Sequence, residues 1–429
     1  MKKIAILLFV ISLAACNNDK KTASTENFTN QEDYNKYLKN SNRDSYNKAV
    51  ETNEFWTSRL AADTSGVGDI GPSAGSYGGL FATTGNAQYL TDSETLYKKA
   101  ISIASIKDGY VRGLAHNYIS QHKFKQAKDI LEEIYAGPTN KRATELILFD
   151  VYMELGMYDK AEEMLGNIKI NGDFEYIIRQ AKWNDHQGNL DAAIRNLEKA
   201  KEIAESSKNE DTRIWVYTNI ADYYGHAGRL KDSYNHYLMA LKLQPDNTYA
   251  KKQIAWLLYS KEKNTAEANR ILDSVMVNHK VPDYYLIKSQ MAKYEGNEAE
   301  TKKQEQNFIN AVTDGNYGEM YNTYLINLYA DINPAKALKL AEHEVSRRAT
   351  PETYQLLAYS QLQSGDKDAA LKTIEQHVEG KTFEPKALYH AALIYKANGM
   401  EEKVEALKEN LMAATYEIGP IMAKNVEML

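Results

Sequence analysis

The chain has 429 residues, 26% charged and 10% aromatic, with 58 acidic side chains against 52 Lys and Arg and a formal charge of −6. That acid excess lacks the basic stripe on which phosphate-backbone binding draws, so nucleic acid is excluded as the expected partner. Cys16 is the only cysteine, which excludes an intramolecular disulfide and leaves stability to packing.

In chain order, residues 1–15 (MKKIAILLFVISLAA) pair two lysines with an apolar run and small residues before Cys16, the pattern of a secretory signal. The run is too short and too early for a permanent membrane span. Leu13-Ala14-Ala15-Cys16 resembles a bacterial lipobox, which implies an exported chain whose mature N-terminus is an acylated (palmitate-bearing) Cys16. Asn17 after the cysteine implies, in the lipoproteins it resembles, passage to the outer membrane, with the periplasmic and surface leaflets both open. Residues 16–30 are polar and small, and are expected to form a flexible tether because they cannot bury enough surface to offset their ordering entropy. Residues 31–67 show helical spacing (Tyr34, Tyr37, Leu38, then Phe55, Trp56, Leu60) and are expected to be capping helices over the first apolar face of the downstream helices.

The stretch 64–85 (TSGVGDIGPSAGSYGGLFATTG) contains a literal GxGxxG, Gly66 to Gly71, and a literal GxSxG around Ser73. A phosphate cradle or a nucleophile elbow needs a strand before the motif and a sheet to hold it, and everything downstream has helical period. The expectation is a glycine-rich loop leading into a helix. No catalytic residue is assigned.

From residue 68 a two-helix unit recurs. Its clearest copy is Arg213–Pro245, in which Tyr217, Ile220, Ala221 and Tyr224 form one apolar stripe, Gly228 ends the helix, and Leu230, Ser233, Tyr237, Ala240 and Leu241 form the next. The small residue early in the second helix recurs at Ser93, Ala127, Ala161, Ala193, Ser233, Ala268, Thr301, Ala337, Ala370 and Val404, at steps of 32 to 40 residues. Five residues before it stands a glycine in Gly156, Gly188, Gly228, Gly296, Gly365 and Gly399, with prolines such as Pro138, Pro245, Pro282, Pro351 and Pro385 near the junctions.

This pattern resembles the tetratricopeptide repeat. The resemblance implies an all-α fold, a right-handed superhelical solenoid of about ten helix-turn-helix hairpins over 68–420, closed by a C-terminal cap at 421–429 after the Gly419-Pro420 break. Three departures are expected to show: a splayed or frayed second helix around polar Thr301, turns without glycine at Lys263 and at Ile332, the latter followed by Asn333-Pro334 as N-cap and first turn, and a longer loop at 206–211 (SSKNED) after an extended helix.

Other chemical signals are weak. His343-Glu344-Val345-Ser346-Arg347 places an arginine where a zincin needs its second histidine, and the nine histidines form no pair at metal-ligand spacing, so neither metal nor cofactor is expected. The abundant tyrosines, among them Tyr97, Tyr118, Tyr152, Tyr217, Tyr224, Tyr237, Tyr259, Tyr285, Tyr321, Tyr354 and Tyr395, fall on expected core positions.

Carried over from the family, the concave-facing positions of the first helices are Arg112, His116, Asp150, Lys182, Asp185, Trp215, Thr218, Asp222, Gln253, Asn322, Gln355 and Tyr359. A groove of this mixed polarity suits a peptide or another protein, with Trp215 the expected anchor. The sequence thus points to a non-enzymatic scaffold or adaptor on a lipid tether, touching the membrane only through that lipid. The alternative is a SusD-like glycan-binding lipoprotein beside an outer-membrane transporter, against which stands the near absence of long insertions between repeats.

Overall fold

The computed structural model describes residues 27–60, 66–104, 106–138 and 140–429. The expected signal sequence and Cys16 lie outside these residues.

The hairpin logic is clearest in the fifth repeat. Asn209 caps its first helix, its side chain accepting from the Thr212 amide at 3.0 Å, so one orphan donor of the first turn is satisfied. At the other end Gly228 takes φ 70° and lets the Arg229 amide reach back to the Tyr224 carbonyl at 2.8 Å. The chain therefore reverses within two residues; Tyr217 and Ala221 are buried in one cluster with Tyr237, Ala240 and Leu241, while Ile220 and Tyr224 are buried with Ala193, Ile194 and Leu197 of the preceding hairpin.

Ten such hairpins succeed one another among the described residues. The chain opens with a short α1 (Gln31–Tyr34), a 3-10 turn (Asn35–Tyr37) and α2 (Asp44–Thr57). The hairpins are α3/α4 (Val67–Thr84, Gln88–Ile103), α5/α6 (Asp108–Ser120, Phe124–Ala136), α7/α8 (Lys141–Glu154, Tyr158–Asn167), α9/α10 (Phe174–His186, Leu190–Ser207) and α11/α12 (Glu210–His226, Leu230–Leu243). They continue as α13/α14 (Thr248–Ser260, Thr265–Met276), α15/α16 (Asp283–Tyr294, Glu298–Asp314), α17/α18 (Asn322–Ile332, Pro334–Arg347), α19/α20 (Pro351–Gln363, Lys367–His377) and α21/α22 (Pro385–Ala397, Glu401–Ala413), before a final α23 (Thr415–Glu427). Among the described residues the fold is all-α, a solenoid of antiparallel pairs. Every small residue of the repeat, from Ser93 to Val404, is buried where its hairpin closes, and all six turn glycines take positive φ.

Several expectations are corrected. The second helix carrying Thr301 is regular rather than splayed: α16 buries Thr301 and Gln304 along one line with Phe308 and Val312. The Gln304 amide donates to Glu300 at 2.7 Å, which lets a polar side chain occupy the stripe. Residues 206–211 form no long loop. α10 runs to Ser207, Lys208 turns at φ 58°, and α11 begins at Glu210, so the extra length of this repeat goes into its helices. Lys263 takes the left-handed turn conformation without being glycine, and at Ile332 the next helix starts at once through the Asn333 cap and Pro334. The glycine-rich stretch is helix α3 itself, not a loop before it. Ser73 is fully buried there and donates its hydroxyl to the Asp69 carbonyl at 2.7 Å, so it is neither nucleophile nor phosphate ligand. Gly71 and Gly113 make room for the rings of Tyr110 and Tyr97. Of the expected core tyrosines, Tyr97, Tyr285 and Tyr354 are half-buried and the others buried.

The two ends add contacts that the repeat pattern does not announce. α2 packs on α3, but the segment before it lies across the outer helices of hairpins five and six, Tyr34 being buried with its hydroxyl on Glu267 at 2.8 Å, and Ser45 at the start of α2 donates to Asp246 in the junction between them at 2.7 Å. The solenoid also coils back onto itself. The Lys280 amide donates to the Thr84 carbonyl at 3.0 Å, Lys125 Nζ to the Ser346 carbonyl at 2.7 Å, and Arg347 Nη2 to the His122 carbonyl at 3.1 Å. The turns of the early hairpins thus rest on the junctions of the late ones.

Candidate functional site

In each hairpin the first helix lies inward. α5, α7 and α9 pack successively on one another, as do α17, α19 and α21, while the second helices form an outer layer. Because the coil folds back on itself, the inward faces line a lumen that stays open to solvent. Its central cavity, about 540 Å³, lies between α11, α13, α15 and α17 on one side and α21 with α23 on the other. A second cavity of about 460 Å³ runs along the seam where α9 and α11 meet the junction before α21. A third, about 720 Å³, opens beside Trp215 between α9 and α11.

Residues 180–246 match the tetratricopeptide repeat family profile. Over that segment the chain is similar to the tetratricopeptide repeat. No curated protein sequence matches it. Among solved structures it is similar to the human IFIT1 dimer with m7Gppp-AAAA (12% identity, 81% of this chain and 77% of that one, TM-score 0.48). It is also similar to yeast Tom70 (14% identity, 93% and 96%, TM-score 0.40) and to PilW, a type IV pilus biogenesis factor (18% identity, 51% and 99%, TM-score 0.38).

The lumen sorts the expected site residues into four groups. Asp150, Lys182, Asp185 and Trp215 line the third cavity together, with Trp215 40% exposed and its ring edge-on to Phe174 at 5.9 Å. Asp222 and Gln253 line the central cavity, where Asp222 accepts from Tyr237, from Tyr249 at 2.7 Å and from Gln253 at 3.0 Å. Those bonds make Asp222 a structural anchor of the wall. Arg112 bonds Thr144 at 3.4 Å, and His116 is exposed on α5 outside the central cavity. Tyr359 stacks on His390 at 4.0 Å and donates to Asp331 at 2.7 Å. Thr218, Asn322 and Gln355 are buried between helices, Asn322 donating to Glu344 at 3.0 Å and Gln355 accepting from His390, so these three do not face a partner.

The electrostatics concentrate at the seam. Burial disfavours the charged imidazole of His226, but Glu417 at 2.6 Å, helped by Asp185 and Glu384, outweighs it and lifts the pKa to about 9. Glu384 is pushed up to about 7 by burial and by the neighbouring Glu417, Asp185 and Glu352 carboxylates, with His226 opposing. Asp185 is raised mainly by burial. Three carboxyl groups and one imidazolium therefore meet at one seam, with Asp185, His226 and Glu384 still exposed to solvent. Elsewhere, His343 and Arg347 are both held by Glu319, and no group of three metal-ligating side chains stands together among the described residues.

Sequence reasoning missed Trp256, Lys252, Asp283, His226, Glu384 and the pair Tyr416–Glu417. Trp256 sits one turn after Gln253 on the same inward face and was findable by extending the stripe. Glu384 and Tyr416–Glu417 reach the lumen only because the coil closes, which no single repeat announces. The result is a channel of alternating charges, aromatic edges and amides.

Proposed function

We propose that this tetratricopeptide solenoid is a non-enzymatic scaffold that holds a partner protein by an extended segment, carried at the bacterial cell envelope on a lipidated Cys16. The observation that supports it is the convergence of Asp150, Lys182, Asp185 and Trp215 on one accessible cavity beside the lumen. A half-exposed indole flanked by both signs of charge is a typical protein-binding anchor. The lipid reading rests on the Leu13–Cys16 sequence, and no described helix is long and apolar enough to cross a membrane. The last tether residues and those after them join the outer layer at hairpins five and six, Phe28 on Glu262 and Tyr34 on Glu267, so the expected anchor enters from the side opposite the lumen.

The test is a pull-down from native membranes with the lipidated chain and a Trp215→Ala, Asp185→Asn variant, read by mass spectrometry. A protein captured by the wild type and lost by the variant supports the reading. Capture of no protein by either form overturns it. Metabolic labelling with a palmitate analogue, lost in Cys16→Ser, checks the anchor.

A further inference from the structure

The lumen already holds a segment of the chain. α23 has two halves, separated at Gly419 (φ 73°, ψ 170°). Its second half is a cap: Met422 and Val426 pack with Leu411 and Tyr389 over the end of the last hairpin. In the first turn, Tyr416 and Glu417 instead line the central cavity and are gripped by hairpins five and six, while Ile418 packs with the cap.

The grip has three parts. The Trp256 indole N–H donates to the main-chain carbonyl of Tyr416 at 3.1 Å. Gly225 leaves a slot for the Tyr416 ring, since a Cβ there would stand 2.6 Å from the ring. His226 takes the Glu417 carboxylate at 2.6 Å. An indole on a backbone carbonyl reads any peptide, a glycine slot selects a flat ring, and a charged imidazole selects an acid.

We propose that Thr415–Ile418 is a built-in plug of the lumen, and that the partner presents an aromatic residue followed by an acidic one, taking the places of Tyr416 and Glu417. This deepens the scaffold reading and rests on it. Bends at Ala414 and Gly419 bound the plug, and of its residues Ile418 shares the cap's apolar cluster, so Tyr416 and Glu417 can leave while Ile418, Met422 and Val426 keep the cap in place. The partner competes with a tethered segment, and its apparent affinity is lowered by the fraction of time the plug is seated.

The probe is the fluorescein-labelled peptide AATYEIG, residues 413–419, read by anisotropy against the full chain. Wild type is expected to bind it about tenfold or more weakly than the Tyr416→Ala, Glu417→Gln variant, whose site is vacated. Glu417→Gln alone, which keeps the ring, is expected to fall between the two. The peptide AATAQIG should not bind, and Trp256→Phe in the double variant should remove the gain. Equal binding by wild type and both variants, or equal binding of the two peptides, overturns the plug. That failure leaves the scaffold reading intact if the Trp215 patch still captures a protein; loss of all protein capture is the separate failure of the scaffold itself.

Discussion

Arg348 and Glu154 stand 194 residues apart in sequence and meet across the seam of the coil, Arg348 Nη2 on the carboxylate at 2.7 Å and Nε on the same residue's main-chain carbonyl at 3.0 Å. Arg348 also lies over the Phe124 ring at 4.8 Å, and Glu154 takes Lys182 at 3.2 Å. One arginine thus ties three hairpins of one turn to the next.

Removing it should open the coil without melting the repeats, because each hairpin keeps its own core. Arg348→Ala is expected to cost about 2 kcal/mol, the scale of a partly buried charged hydrogen-bond pair. It should also raise the radius of gyration in small-angle scattering while helical circular dichroism stays constant. Burial alone would raise the Glu154 pKa, yet Lys182 and Arg348 hold it below the ordinary carboxylate value. A depressed carboxyl contributes stability above its unfolded pKa, about 4.3, and loses it as pH falls through the folded value. Acid opening of the wild-type coil below about pH 4, absent in Arg348→Ala, is the expected signature.

The turn glycines separate local strain from closure. Gly188 and Gly228 have nearly the same backbone, φ 74° and 70°, so alanine at either is strained by a comparable amount, about 1 kcal/mol. Only Gly188 faces the other turn: a Cβ there would lie 2.6 Å from Phe383, whereas nothing stands within 4 Å of Gly228. Gly188→Ala is therefore expected to lose about 2–3 kcal/mol and to loosen the seam. Phe383→Ala should restore most of the excess, since Phe383 is 60% exposed and contributes little on its own. Equal midpoints for Gly188→Ala and Gly228→Ala in urea would mean that the Phe383 contact adds nothing to closure.

These two glycines also show what the sequence could reveal. Both are identifiable from spacing, because a hairpin turn is a local event and its glycine, its small partner five residues on and its apolar stripes all lie within one repeat. Repeat register, helix count and core were legible for that reason. Closure was not. It depends on small rotations accumulated over many hairpins, and it decides that Gly188 is crowded, that Glu384 is charged with difficulty and that Tyr416 faces the lumen. Thr218, Asn322 and Gln355 were misplaced on the same grounds: helix face was assigned from family positions, while the neighbours that bury them, such as Glu344 for Asn322 and His390 for Gln355, come from other helices.

The plug contact carries its own pH dependence. His226 has a folded pKa of about 9, above its unfolded value, so its contribution is complete below about 6.5 and is lost as pH rises through 9. Glu384, lifted to about 7, acts in the same direction, because ionising it places a further negative charge beside Asp185, Glu352 and Glu417. Trp256 fluorescence should change between pH 7 and 9.5 as the plug loosens, over roughly that window from the two shifts. The change is expected to shrink in His226→Gln. An identical profile in that variant would assign the transition to another group.

The N-terminal strap gives the last test. Tyr34 is 1% exposed and donates to Glu267 at 2.8 Å; burial, with Glu267 as hydrogen-bond partner, drives the phenol's pKa far up, so it is a permanent donor. Burial would raise Glu267, but Arg270 and Tyr34 hold it low. Tyr34→Phe keeps the ring and leaves that carboxylate short of one donor, for an expected loss of about 1–2 kcal/mol. The strap spans hairpins five and six, whose inner faces carry Gly225 and Trp256, so loosening it should expose Phe28–Tyr34 to protease before the repeats unfold. Cleavage there at native temperature in Tyr34→Phe, with the wild type resistant, would show that the outer strap is held by this hydroxyl; equal resistance would assign its retention to the Thr29–Glu262 and Ser45–Asp246 bonds at 2.8 and 2.7 Å.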